Sequence, residues 1–302
     1  MHLLGVVLFL AGLWVLYREL SDQHFQDILL HFSSFPKLQL FLAIFCTALN
    51  YYVLTGYEWL GLKYVRRPLK YRSILPASFI ANALGHNVGA AALSGTAIRY
   101  RMYSTWGLSL VDTAQVIMFC GVTATVGLIT VLGMTFLSAS PKILAYLPFS
   151  IHADHVLGVI FLLFVFLYIS FCIFAKKPLK IREKEFRFPS AAMAAGQMIF
   201  SLMDCLLAAS ALYILLPTQH GISFPVFLSL FVVAQIFGMM SQIPGGVGVF
   251  EATFMAALSK TLPADKLFVS LLYYRLVYYA LPLLISLIIL AISQFRRPAV
   301  KN

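Results

Sequence analysis

The sequence divides into eight apolar stretches joined by short connections that hold most of its charge, and glycine-rich breaks interrupt two of the eight. A helix needs about 20 predominantly apolar residues to cross a bilayer. The unbroken candidates are 2–17, 38–60, 110–138, 155–175, 191–216 and 267–293. The broken stretches are 73–98, which contains Gly85-His86-Asn87-Val88-Gly89 and Ser94-Gly95, and 223–259, which contains Pro244-Gly245-Gly246-Val247-Gly248. Proline and glycine at membrane depth free backbone groups that lipid cannot satisfy, so such breaks survive only against protein or a water-filled cavity. The two breaks therefore mark where a polar pathway would lie.

With 61% hydrophobic and 11% charged residues, the chain reads as an all-α integral membrane protein and not as a soluble globular one. The first stretch starts uncharged and has no small-residue cleavage site before Arg18, which reads as a retained helix rather than a cleaved signal peptide. Cys46, Cys120, Cys172 and Cys205 all fall inside apolar stretches without CxxC spacing, as small core residues would. The net charge of +11 does not point to nucleic acid, because the basic residues sit in short loops where they report orientation.

Lys63, Arg66, Arg67, Lys70 and Arg72 crowd one connection, Lys176, Lys177, Lys180, Arg182, Lys184 and Arg187 another, and Arg296, Arg297 and Lys301 the C-terminus. The positive-inside rule makes all three cytoplasmic. Three apolar stretches separate the first two basic loops, yet a chain that starts and ends on one side crosses an even number of times. The stretch 73–98 is expected to dip in from the cytoplasm and return. By the same count 223–243 and 246–259 form a hairpin entering from outside. The expectation is about six transmembrane helices plus two re-entrant broken hairpins, with both termini cytoplasmic. This single domain, 1–302, would comprise halves 1–138 and 155–302 related as an inverted repeat, the arrangement that brings broken elements together near the midplane in transporters.

Asp204 lies near the middle of its span, where insertion scales charge about 2.5–3.5 kcal/mol for an ionised acid. Gln197, Ser201, Asp204, Ala208 and Ala211 form one small and polar stripe that must face protein or a cavity. Two roles are open to Asp204: a place on a substrate path, or a paired acid that cements two helices. Glu58 closes a similar stripe with Thr47, Tyr51 and Thr55. It either acts beside Asp204 or reaches the interface near Lys63. Both acids occupy the crossing that precedes a broken hairpin.

The turn Pro244 to Gly248 opens a new helix whose free N–H groups suit an anion such as a lipid phosphate, with Gly245, Gly246 and Gly248 supplying the backbone. Glu251 in the first helical turn equally complements the helix dipole. Arg275, inside a span, must be paired, with Glu251 or Asp204 as the partner; Tyr278 and Tyr279 share its helix face. Its guanidinium suits either a structural bridge or bidentate phosphate contact. Arg99, closest to the first break, is the better candidate than Arg101 for a headgroup contact. Ser109 and Asp112 fit a capping box. His152 and His155 read as a solvated loop, so no metal site is expected. No catalytic or cofactor-binding motif appears, which excludes hydrolase and nucleotide chemistry of the familiar kinds.

Four segments in combination resemble the membrane region of the lysylphosphatidylglycerol synthetase/flippase family: Leu16-Tyr17-Arg18-Glu19-Leu20, the run from Ala92 to Arg101, the run from Ile243 to Glu251, and Tyr274-Arg275-Leu276-Val277-Tyr278-Tyr279. The resemblance implies a flippase unit or a stand-alone member without the cytosolic aminoacyltransferase domain, hence a lipid transporter and not an enzyme. It places the protein in the bacterial inner membrane and associates it with antimicrobial peptide resistance. The family's functional acid in the second span matches Glu58, its arginine after the first hairpin Arg99, and its acid in the fifth crossing Asp204. Asp and Glu are interchanged at 58 and 204 relative to the bifunctional members.

The expected substrate is a phospholipid, with lysyl- or alanyl-phosphatidylglycerol the leading candidate. The acids would attract a cationic headgroup, while Arg99, Arg275 and the 245–248 turn hold its phosphate and Tyr278 lines the path. No cofactor is expected. A second copy of the chain and a separate lipid-modifying synthetase are the admissible protein partners, the latter on the alternative reading of a membrane scaffold.

Overall fold

The computed structural model describes residues 13–15, 17–18, 31–87, 91–138, 154–174, 179–181, 184–186, 188–217 and 221–295. Among the described residues are ten α-helices with described ends: α1 (Lys37–Tyr64), α2 (Tyr71–Asn87), α3 (Ala91–Ser104), α4 (Leu110–Ser138), α5 (Asp154–Phe174), α6 (Ala191–Leu215), α7 (Phe224–Ser241), α8 (Val249–Leu258), α9 (Ala264–Tyr274) and α10 (Leu281–Phe295). A two-stranded antiparallel ribbon, β1 (Leu179–Ile181) and β2 (Lys184–Phe186), lies between α5 and α6.

Six of the described segments are long and apolar enough to cross a membrane: Lys37–Tyr64, Leu110–Leu137, His155–Phe174, Ala191–Leu215, Phe224–Ser241 and Ala264–Ile292. The expected crossing at 2–17 lies outside the described residues except for 13–15 and 17. Phe224–Ser241, read from the sequence as a hairpin arm, has 18 residues. At 1.5 Å per residue it is about 27 Å long, close to the thickness of the hydrocarbon core.

Local chemistry explains where the helices begin. Pro36 precedes α1 in an extended conformation. The Ser190 hydroxyl accepts from the Met193 amide at 3.3 Å at the start of α6. At α4 the capping box is reciprocal: Ser109 Oγ accepts from the Asp112 amide at 3.1 Å, and Asp112 Oδ2 accepts from the Ser109 amide at 3.0 Å. His155 belongs to the exposed first turn of α5 rather than to a loop, and His152 lies outside the described residues.

The first break is shorter than its glycines suggest. The α2 helix runs through Gly85 to Asn87, and Ser94 and Gly95 lie on the helical backbone of α3, so only 88–90, outside the described residues, separates the two. A single glycine lowers helix propensity by only about 1 kcal/mol relative to alanine, too little by itself to end a helix. The second break stands as read: α7 ends at Gln242 with φ 56°, and Gly245, Gly246 and Gly248 take φ 60°, 63° and 85°.

Helix α1 packs along α6, and the members of each broken pair, α2 with α3 and α7 with α8, pack on each other. Small residues set the spacings. A Cβ on Gly127 of α4 would stand 2.5 Å from Ser201 of α6, and one on Gly133 2.7 Å from Leu162 of α5. The largest core lies among α6, α7, α8 and α9, where Leu212, Phe227, Phe231, Phe250, Phe254 and Tyr274 are all buried. Large apolar side chains such as Phe45 on α1 and Phe164 on α5 face outward, as a lipid-contacting surface requires.

Candidate functional site

Three carboxylates inside the bundle organise the region between the broken pairs, and each is held differently. Glu58 of α1 is 1% exposed, so it does not reach the interface beside Lys63. Arg99 of α3 donates through Nε to its Oε1 at 3.0 Å, with Nη2 at 2.9 Å from the same oxygen. Tyr103, one turn further along α3, donates to Oε2. Asn82 of α2 accepts from Arg99 Nη2 at 3.0 Å. The charges cancel within one packed cluster. Arg101 is exposed, as its position two residues along the helix dictates.

Glu251 of α8 takes Arg275 as its partner, which resolves the two candidates in favour of Glu251 over Asp204. Arg275 Nε donates to Glu251 Oε1, and Nη1 donates to the Gly245 carbonyl at 2.5 Å. Glu251 Oε2 accepts from the Gly248 amide at 2.7 Å. Its carboxylate thus caps α8 and anchors the arginine at once. The guanidinium carbon lies 4.5 Å from the Tyr279 ring centre and 5.3 Å from that of Phe250, a cation–π environment. Arg275 Nη2 is buried and has no hydrogen-bond partner among the described residues.

Asp204 of α6 is half-buried and has no basic partner among the described residues. Its Oδ1 accepts from Asn50 Nδ2 at 2.7 Å and its Oδ2 from Tyr57 Oη at 2.7 Å, both from α1. Asn50 Oδ1 in turn accepts from Tyr278 Oη at 2.8 Å. The rest of the α6 stripe is buried as expected: Gln197, Ser201, Ala208 and Ala211 are 0–3% exposed.

Between α9 and α10 the last span widens into a π turn over Arg275–Ala280. Such a turn interrupts the regular carbonyl pairing and recurs at functional sites. Here two of its carbonyls find partners on other elements: Tyr278 O accepts from Tyr51 Oη at 3.2 Å, and Tyr279 O from Asn87 Nδ2 at 3.2 Å. The π turn also separates the face expected to be shared: Tyr279 stays with Arg275, while Tyr278 points to Asn50 and stacks on His86, ring centres 6.1 Å apart. A Cβ on Gly245 would lie 3.2 Å from the His86 carbonyl. The C-terminal end of α2 therefore meets the second break.

Several contributors escaped the sequence reading. In the α1 stripe of Thr47, Tyr51, Thr55 and Glu58, Thr47 and Thr55 donate to their own helix, to Ala43 O at 2.9 Å and Tyr51 O at 3.3 Å. Asn50 and Tyr57, seven residues apart and so on one face, make the contacts to Asp204. An asparagine inside a span was the available signal. Asn82, His86 and Tyr103 carried no signal of comparable strength. Among the described residues no group of three His, Cys, Asp or Glu side chains is placed to hold a metal ion.

Broken helix pairs that meet inside an apolar bundle, beside buried ion pairs and a carboxylate with neutral partners, define a polytopic helical membrane protein with an internal polar site. The sequence matches the family described as the lysylphosphatidylglycerol synthase TM region over residues 2–286. The chain belongs to that family. It is 34% identical to the protein slr0712 of Synechocystis over 280 residues, 93% of this chain and 87% of that protein. It is 27% identical to the inner membrane protein YbhN of Escherichia coli over 298 residues, 96% of this chain and 91% of that one. A phosphatidylglycerol lysyltransferase of Staphylococcus aureus is 29% identical over 294 residues, 94% of this chain; the chain spans 33% of the length of that enzyme. These relatives and the six apolar spans make it a multi-pass protein of a bacterial membrane.

Proposed function

We propose that the protein translocates a phospholipid between the leaflets of a bacterial inner membrane, with aminoacylated phosphatidylglycerol, lysyl or alanyl, as the substrate class. The carrying observation is Asp204: held by Asn50 and Tyr57, it is the carboxylate of the three that lacks an arginine. An acid in a low-dielectric bundle favours a cation beside it, and the ammonium of an aminoacyl headgroup supplies one. The spare Nη2 of Arg275 and the turn at Gly245, Gly246 and Gly248 would meet the phosphate. Glu58 and Arg99, already paired, would open toward the headgroup only by exchanging partners. The family membership and the lysyltransferase relative support this choice of lipid.

The two broken pairs serve in this reading as re-entrant hairpins from opposite faces, with both termini cytoplasmic and the halves 1–138 and 155–302 inverted repeats. Matched packing supports the repeat. Exchanging α1, α2, α3 and α4 for α6, α7, α8 and the α9–α10 span turns each of four observed contacts into another observed contact: α1·α2 into α6·α7, α2·α3 into α7·α8, α1·α4 into α6·α9, and α2·α10 into α7·α4.

The competing reading is a scaffold for a separate lipid-modifying synthetase, alone or as a homodimer, favoured by the closed ion pairs Glu58–Arg99 and Glu251–Arg275. Purified protein in liposomes with headgroup-labelled lipid separates the two. Translocation predicts leaflet exchange that Asp204→Asn reduces at unchanged melting temperature. Absence of exchange in well-folded protein would leave the scaffold.

A further inference from the structure

We propose that Asp204 exchanges the lipid's ammonium for a proton, so that headgroup movement in one direction is coupled to proton movement in the other. The inference rests on the reading that an ammonium headgroup visits Asp204, and it supplies what that reading lacks, a source of direction.

The argument is one of charge balance on the empty return. Glu58 and Glu251 each have an arginine bonded to them. Asp204 does not have that protection. The groups that face it are Asn50 and Tyr57 from α1, with Tyr51 behind them, Tyr274 and Tyr278 from α9 and the π turn, and its neighbour Cys205. His86 of α2 stands against Tyr51 and Tyr278. The arginines of the region, Arg99 and Arg275, are bonded elsewhere. Among the described residues, the side chains bonded to Asp204, Asn50 and Tyr57, are both neutral.

An ammonium at Asp204 makes the loaded site neutral. Once the headgroup leaves, the carboxylate is a bare charge inside a low-dielectric bundle, and a rearrangement that carries it through hydrocarbon is opposed by its desolvation. One proton from the aqueous face removes that charge: the carboxylate takes it as a carboxylic acid, with no other bond made or broken, and gives it up on the opposite side when the next ammonium arrives. The cradle accommodates both states. Tyr57 donates to the carboxylate, and a hydroxyl both donates and accepts, so its rotation lets it accept from the protonated acid. The paired acids cannot take this role, because protonating either one would strand its buried arginine.

The test uses the full chain in liposomes, with fluorescent lysyl-phosphatidylglycerol in one leaflet and a pH-sensitive dye in the lumen. At one proton per headgroup, the steady-state leaflet ratio shifts about tenfold per unit of imposed pH difference, with lipid accumulating on the more acidic side. Loading lipid on one side drives a luminal pH change. In Asp204→Asn both responses are lost. Tyr57→Phe, which leaves the acid, keeps the coupling and moves the pH of half-maximal transfer. Leaflet exchange indifferent to the pH difference, or an Asp204→Asn protein still driven by it, overturns proton exchange while leaving translocation standing. No leaflet exchange in protein with a native melting transition overturns the translocator reading, and the inference with it.

Discussion

Asn50 of α1 holds Asp204 of α6 at two points: its Nδ2 donates to the side-chain Oδ1 at 2.7 Å and to the backbone carbonyl at 3.0 Å. Its own Oδ1 accepts from Tyr278. One amide side chain thus joins the two long central helices to the π turn, using both its donor and its acceptor function. Aspartate lacks the donor and leucine lacks both.

Asn50→Leu strands one oxygen of Asp204 and the Tyr278 hydroxyl, each at a cost of about 1–3 kcal/mol for a buried group left without its partner. We expect a melting temperature lower by several degrees in detergent, together with loss of lipid transfer. Asn50→Asp sets a second carboxylate beside the first and is expected to be at least as damaging at neutral pH, with partial recovery on acidification.

The Glu58–Arg99 pair should behave as a unit. Arg99→Gln or Glu58→Gln alone leaves an uncompensated buried charge, about 3–5 kcal/mol destabilising, and the double variant recovers much of that loss. Denaturation of all four forms in a double-mutant cycle measures the coupling. Strict additivity would show that the two side chains do not depend on each other.

Arg275→Lys keeps the charge but loses the planar fork that reaches Glu251 and the Gly245 carbonyl while stacking on Tyr279. Faster amide hydrogen exchange is expected across 244–250, because the turn and the α8 cap lose their anchor. Glu251→Ala should accelerate exchange at the Gly248 amide in particular, since that N–H bonds to its carboxylate.

Gly246→Ala and Gly238→Ala test the second break from its two sides. Gly246 has φ 63°, and an added Cβ would stand 2.8 Å from the Gly238 Cα; the left-handed conformation alone costs about 1–2 kcal/mol for a side-chain-bearing residue. Gly238 is helical and its added Cβ would meet Gly246 at an ordinary 3.5 Å. The first variant should be strongly destabilised and the second near neutral in a thermal melt.

Opposed hairpins predict opposite labelling. Tyr100→Cys, on α3, and Thr261→Cys, between α8 and α9, both replace exposed residues. A membrane-impermeant maleimide added to intact cells should label the second and spare the first. Equal labelling of both would rule out the proposed topology.

Much of the architecture was legible because the bilayer imposes a length scale. Apolar runs of about 20 residues located five of the six described segments long enough to cross; the sixth, Phe224–Ser241, reads from the sequence as a hairpin arm. The capping box at Ser109 and Asp112 located the start of α4 within the chain itself. The burial of the α6 stripe through Gln197 and Ser201 was legible for the same reason, since polar groups in a span must face protein. The extent of the first break was not legible. Gly85, Ser94 and Gly95 are permissive of a turn but do not require one, since a single glycine lowers helix propensity by only about 1 kcal/mol relative to alanine.

Pairing was a different matter. Helical periodicity names the residues on one face of one helix, but not which face of another helix will lie against it. The sequence alone therefore determined that Asp204, Glu58, Glu251 and Arg275 sit among apolar residues and must be accommodated, because their ionised side chains cannot be left in hydrocarbon. Only the tertiary structure decided that Arg99 answers Glu58, that Arg275 answers Glu251 and that Asp204 is left with Asn50 and Tyr57. Those distances depend on how closely α1 approaches α6, on the glycine turn after α7 and on the π turn that swings Tyr278 away from Arg275. The glycine turn is local and was legible in Pro244 to Gly248; the approach of α1 to α6 and the π turn are products of long-range packing, which no local spacing in the sequence encodes.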